Sequence, residues 1–453
     1  MKVTFNKLGP VKKVDLDLSK DLIILTGPNN TGKSYVAYAL YGICSYRNFL
    51  RGYKPFEIIV DRLLEYGEYN FDLTEFSNAS RDDFFEDFSA QFEKYLSSVI
   101  AAEKSFFKGF KLEIISTLAD IIKSKRHKVY IKQQLVFGKN ISVFFEKQAN
   151  SLQVKMLYSE NKTANIEEST NGNNLLRAGI IESISLFILE FIFPECFIAP
   201  AERIAINIFS KELSLKRNAL VDELIETRQY KIDSNKTDLL INKASRYSLP
   251  IRDSLLIAED LIHYKEKQTS FDVFAKALES EVLKGSVAIT EEGFIQYKPF
   301  AKENVNIPVH LTATSIKSLS NLVLYLRHAA RGNDFIIIDE PELSLHPDNQ
   351  VAMARFIARL VNGGFKVMIS THSDYIIREI NNLIIGNKKR HIAVDQLGYK
   401  EEELLDYKRV EAILFQQKKT TSIDVQDDGF DVKTIDDTID ALNMRAQKLY
   451  FED

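Results

Sequence analysis

Gly27-Pro28-Asn29-Asn30-Thr31-Gly32-Lys33-Ser34 follows the apolar run Leu22-Ile23-Ile24-Leu25 and leads into helical sequence from Lys33 to Tyr46. A short apolar run between turn formers reads as a fully buried strand, so the eight residues form a glycine-bearing loop between strand and helix. In that context the spacing G-x-x-x-x-G-K-S has a physical use. Gly27, Asn29, Asn30, Thr31 and Gly32 let successive backbone N–H groups turn inward as a nest for phosphate, and the helix N-terminus adds positive potential. Lys33 reaches the β- and γ-phosphates, Ser34 ligates magnesium, and Tyr35 is counted with the loop. The expected ligand is a nucleoside triphosphate with Mg2+.

A second stretch supplies the complementary chemistry. Phe335-Ile336-Ile337-Ile338-Asp339-Glu340 reads as a buried strand ending in two carboxylates, expected beside the phosphate loop in the same sheet. Adjacent strand residues point to opposite sides, so the two acids divide the work. Asp339 is expected in the magnesium shell, and Glu340 is expected to act as general base on the attacking water.

The residues that continue this strand, Asp339-Glu340-Pro341-Glu342-Leu343-Ser344-Leu345-His346-Pro347, resemble the DEPE-x-x-LHP stretch of ABC-type P-loop ATPases of the RecF, OLD-nuclease and SMC class. The resemblance implies a Walker B end at Asp339-Glu340 followed by a D-loop that crosses a dimer interface. Farther on, Ser370-Thr371-His372-Ser373 is similar to the histidine switch of these families, which implies that His372 senses the γ-phosphate. The signature turn is less regular. In Ala313-Thr314-Ser315-Ile316-Lys317-Ser318-Leu319, Ile316 stands where glycine is usual. Ser315 at a helix start reads either as an anion contact offered to a partner head or as an ordinary N-cap. Arg203, after the apolar run Cys196-Ala199, reads either as a nucleotide or interface residue or as a surface arginine.

Around these motifs the chain is ordinary in composition. Its 453 residues are 45% hydrophobic and 27% charged, which excludes disorder and fibrous repeats. With 59 Lys and Arg against 63 Asp and Glu, the formal net charge of −4 excludes a globally basic nucleic-acid binder. Two cysteines, Cys44 and Cys196, make neither a disulfide framework nor a metal site, so a cytoplasmic location is expected. The most apolar stretch, Ile180 to Phe193, carries Glu182 and Glu190 and reads as a buried helix, so no membrane partner is expected.

The expected fold is α/β, an ABC-type head with a mixed sheet interrupted by two helical insertions. Residues 1–50 form the N-terminal part of the head, 51–127 a helical insertion, 128–202 head strands and the buried helix, with a hairpin turn at 138–140. Residues 203–285 form a second helical insertion read as short arms, 286–385 the part with signature-like turn, Walker B, D-loop and switch, and 386–453 a C-terminal extension. No Toprim spacing follows His372, so no intrinsic nuclease is expected.

The layout resembles ATPase subunits of prokaryotic anti-phage systems, the AriA subunit of PARIS and the PtuA subunit of Septu and some retrons. That resemblance implies a sensor or scaffold that forms a homodimer or higher homo-oligomer through its heads and controls a separate effector nuclease. A RecF-like DNA-repair ATPase is the alternative, with DNA contacts at Lys123, Lys125, Arg126 and Lys128 and at Lys388, Lys389 and Arg390.

Overall fold

The computed structural model describes residues 1–45, 55–74, 79–137, 141–160, 170–209, 247–302, 305–417 and 419–451. The expected hairpin turn at 138–140 and the stretch 210–246 of the second insertion lie outside the described residues.

The chain opens with the hairpin β1 (Lys2–Leu8) and β2 (Val11–Asp17), then β3 (Leu22–Thr26), which carries the phosphate loop. Next come β4 (Glu68–Asp72), β5 (Lys111–Ile115), β6 (Ile131–Phe137), β7 (Ile141–Lys147), β8 (Gln153–Glu160) and β9 (Cys196–Ala199). The second half adds β10 (Gly285–Ile289), β11 (Ile295–Pro299), β12 (Ile307–Pro308), β13 (Phe335–Asp339), β14 (Lys366–Thr371), β15 (Val410–Gln416) and β16 (Lys419–Ile423).

Six of these strands form the central sheet, in the order β16-β15-β3-β14-β13-β9. Five run parallel and β16 is an antiparallel edge, so the sheet is mixed. Its inner strands β3, β14 and β13 are buried almost throughout because both faces are covered, whereas the edge strand β16 is polar and largely exposed. Ile23, Leu25, Ile337, Met368 and Ile413 face one core. Leu22, Ile24, Ile336, Ile338, Val367, Ile369 and Ala412 face the other. The first core is shared with helices Lys33–Ser45, Ala79–Ile100 and Thr170–Ile192, the second with Thr314–His328, Pro347–Asn362 and Asp374–Lys388. The apolar stretch from Ile180 is a buried helix, and no described helix is long and apolar enough to cross a membrane.

Asp339 lies beside the phosphate loop, within hydrogen-bond reach of Ser34, although β14 stands between β13 and β3, hydrogen-bonded to each. Three expectations are corrected. The segment 386–453 is no appendage, because β15 pairs with β3 from Val410↔Leu22 to Leu414↔Thr26 and completes the sheet on the far side of the phosphate loop. The segment 51–127 is not wholly helical, since β4 pairs with β8 and β5 with β1. Each of these two strands has only five residues and a distant partner, which leaves little local alternation to read. Finally, β6, β7 and β8 join β4 in a separate antiparallel sheet, so of the strands in 128–202 only β9 enters the central one.

Candidate nucleotide site

The site forms where β3, β14, β13 and β9 end. Parallel strands bring their C-terminal ends to one edge of a sheet, where loops of different sequence can converge.

At the end of β3 the loop requires its two glycines. Gly27 has φ +129°, and a Cβ there would lie 2.1 Å from the Phe415 carbonyl oxygen of β15. Gly32 has φ +99°, and a Cβ would meet Val11 Cγ2 at 2.5 Å. Asn30, at φ 61°, takes a left-handed conformation that asparagine tolerates better than most residues. Thr31 Oγ1 donates to the Pro28 carbonyl at 2.8 Å, and Val36 N–H closes the first helical turn on Gly32 O at 3.2 Å. Lys33 is buried, and Nζ donates to Gly27 O at 2.7 Å and Pro28 O at 2.9 Å. Burial pulls its pKa down, while Asp339, Glu342 and Glu340 pull it up. Tyr35 stacks on Phe106, with ring centroids 5.9 Å apart.

At the end of β13, Asp339 is 1% exposed. Its Oδ1 accepts from Ser34 Oγ at 3.2 Å and from Ser370 Oγ of the intervening strand. Oδ2 is buried without a hydrogen-bond partner. Burial pushes the carboxyl up to about 6, against the lowering effect of its two serine donors. An orphaned carboxylate oxygen beside a serine hydroxyl suits a magnesium ion, which takes one or two carboxylates and leaves its other positions to phosphate and water.

Glu340 follows with φ 51°, left-handed and costly for a residue with a side chain, on the order of 1–3 kcal/mol. Its N–H donates to Ser370 O at 2.9 Å. Its carbonyl accepts from Arg203 Nη2 at 2.6 Å, and the Asp339 carbonyl accepts from Arg203 Nη1 at 2.5 Å. Arg203 is itself 1% exposed, so the surface reading is corrected. Proximity to the end of β9 was the signal available in the sequence: Ala199-Pro200-Ala201-Glu202-Arg203 leaves a parallel strand at the edge where the other motifs gather. Glu202 also belongs to this edge and accepts from Tyr38 Oη at 2.7 Å.

Glu342 is buried. Its Oε1 accepts from His372 N–H at 2.8 Å and lies 3.2 Å from His372 Nδ1, while Oε2 is buried with no partner. With Nδ1 turned to Glu342, Nε2 is the ring nitrogen positioned to address a ligand. The side chain of His372 is 45% exposed. Neither Glu342 nor Ser370 was assigned a role from sequence, although both stand within the quoted motifs.

Ser315 is the second residue of helix Thr314–His328 and is half-buried. The cap is Ala313, which has no side-chain cap bond, so the N-cap reading of Ser315 is not realised. Ile316 turns into the second core. Among the described residues no hydrogen bond joins Ser315 to the loop or to the two acids. The structure therefore brings together Lys33, Ser34, Asp339, Glu340 and His372, and among the described residues no hydrogen bond ties Ser315 to them.

A family model described as AAA ATPase domain matches residues 1–377. No curated protein matches the chain. Among solved structures the chain resembles the Smc head domain with an extended coiled coil bound to the C-terminal domain of ScpA, from Pyrococcus furiosus. The identity is 11%, 98% of each chain is covered, and the TM-score is 0.34. It also resembles the SmcHead bound to the C-winged helix domain of ScpA, at 11% identity over 93% of this chain and 96% of that one, TM-score 0.35. The SMC head domain from Thermotoga maritima is similar at 10% identity over 94% and 98%, TM-score 0.31. These likenesses are distant.

Proposed function

The chain belongs to the AAA ATPase domain family, and on that premise we propose that it binds Mg2+–ATP and hydrolyses it. The observation that carries the proposal is that Ser34 Oγ meets Oδ1 of Asp339 while Oδ2 of the same buried carboxylate is left without a partner. Gly27, Asn29, Asn30, Thr31, Gly32 and Tyr35 cradle the triphosphate, Lys33 neutralises its terminal groups, and Ser34 and Asp339 hold the cation. Magnesium, when bound, neutralises charge developing on the phosphates. Glu340 accepts a proton from the attacking water, and His372, braced by Glu342, contacts the γ-phosphate through Nε2.

Ser315 is offered to the nucleotide of a second copy. The two heads of a homodimer then complete each other's sites. A head that closes on ATP and opens after hydrolysis transmits its state outward through differential contacts. We assign it to a cytoplasmic sensor or scaffold of an anti-phage system that governs a separate effector nuclease, with the chain itself cutting nothing.

The alternative, a RecF-like ATPase that grips DNA, draws on two basic clusters. Arg126 of the first is ion-paired with Glu190 at 2.5 Å, and Lys388 of the second with Asp427 at 2.8 Å, which weakens both as phosphate contacts. Co-purification from native cells followed by mass analysis, with and without ATP, discriminates the two. A nuclease retained in one nucleotide state supports the sensor. Salt-sensitive DNA binding that is lost when Lys388 and Lys389 become glutamate supports the alternative.

A further inference from the structure

Arg203 does more than fill space beneath the acids. It sits in the helical stretch 203–209 that follows β9 and is 1% exposed. Its guanidinium donates to Pro200 O at 3.0 Å, Asp339 O at 2.5 Å and Glu340 O at 2.6 Å, and Nε donates to Ser318 Oγ at 2.8 Å. Its direct partners are thus three backbone carbonyls and one hydroxyl, and burial pulls its pKa down from the usual arginine range.

Two of those carbonyls are consecutive. In an extended strand, consecutive carbonyls point to opposite edges and cannot be held by one planar fork. They meet the same guanidinium here because the chain turns at Glu340, whose φ is 51°. That dihedral also sets where the Glu340 carboxylate points. The fourth bond leads elsewhere. Ser318 lies one turn beyond Ser315 on helix Thr314–His328, and Asn207 Nδ2, from the same stretch as Arg203, donates to Lys317 O at 2.5 Å. One buried cation therefore ties the turn bearing Glu340 to the helix bearing Ser315.

We propose that Arg203 is a positioning residue that holds Glu340 in its left-handed conformation and couples the aim of that carboxylate to helix Thr314–His328. This rests on the reading of Glu340 as general base. A displacement of the helix at its Ser315 end, such as a second head would impose, moves Ser318, and through Arg203 it moves the Glu340 backbone.

The test is a double-mutant cycle on the full chain, read as kcat for Mg2+–ATP with ATP affinity measured in parallel. Arg203→Lys keeps the charge and loses the fork. It is expected to lower kcat by ~10-fold or more, since small misplacements of a catalytic group cost that much, and to leave ATP affinity within about twofold. In the Glu340→Gln background the same change is expected to have no further effect. Equal loss in both backgrounds overturns the proposal, as does unchanged kcat in Arg203→Lys. Should Arg203→Lys fail to fold, Ser318→Ala, which removes one bond, serves in its place: a kcat loss absent from the Glu340→Gln background supports the coupling, and unchanged kcat overturns it. A wild-type rate in Glu340→Gln alone overturns the reading of the base, which separates that failure from failure of the positioning role.

Discussion

Ser34 Oγ lies 3.2 Å from Asp339 Oδ1 across 305 residues of sequence. The contact crosses an entire strand, because β14 stands between the two and contributes Ser370 to the same oxygen. A helix start and the ends of two strands thus deliver two hydroxyls and one carboxylate to a single point. A buried carboxylate with an orphaned oxygen is costly to maintain, and such a group persists where binding compensates for it.

The cost has a pH signature. Asp339 is raised to about 6 from its ordinary 3.8, so the folded state holds a proton that the unfolded state releases. Stability from this group is greatest below pH 4 and falls as pH rises toward 6, by about 3 kcal/mol at most, using ~1.4 kcal/mol per unit. Asp339→Asn is expected to raise the unfolding midpoint above pH 6 without magnesium and to change it little at pH 4. A thermal melt series across that window checks the sign. A variant less stable than the wild type at pH 7.5 without the cation contradicts it.

The phosphate loop depends on β15. A Cβ at Gly27 would stand 2.1 Å from the Phe415 carbonyl, and backbone cannot yield as a side-chain tip does. Gly27→Ala is expected to cost on the order of 3 kcal/mol and to abolish ATP binding, as measured by denaturant unfolding and nucleotide titration. Gly398 also has positive φ, at +72°, but nothing lies within 4 Å of its Cβ position. Gly398→Ala therefore reports the dihedral penalty alone, ~1 kcal/mol, with ATP binding intact. Equal effects in the two variants would mean that β15 plays no part in shaping the loop.

Much of this site was legible in the sequence because its chemistry fixes residue types at fixed spacing. Gly27, Gly32, Lys33, Ser34, Asp339 and Glu340 stand at the junctions where strand pattern yields to helix or turn, and the structure brings these segments together. What was not legible is non-local. β15 enters the sheet parallel to a strand nearly four hundred positions earlier, so no hairpin or alternation announces it. Arg203 carries no motif of its own, and its significance comes from carbonyls that only the folded turn at Glu340 brings within reach. The short strands β4 and β5 sit among helix-forming residues and take their identity from partners elsewhere.

In the proposed function, the two acids at the end of β13 act on a magnesium-bound triphosphate held by the loop after β3. Its most direct test is Mg2+-dependent ATP turnover by the wild-type chain beside Glu340→Gln, with ATP binding measured on both. Glu340→Gln is expected to retain binding and to turn over ~10²-fold or more slowly. Equal rates in the two proteins, with ATP bound by both, would contradict it.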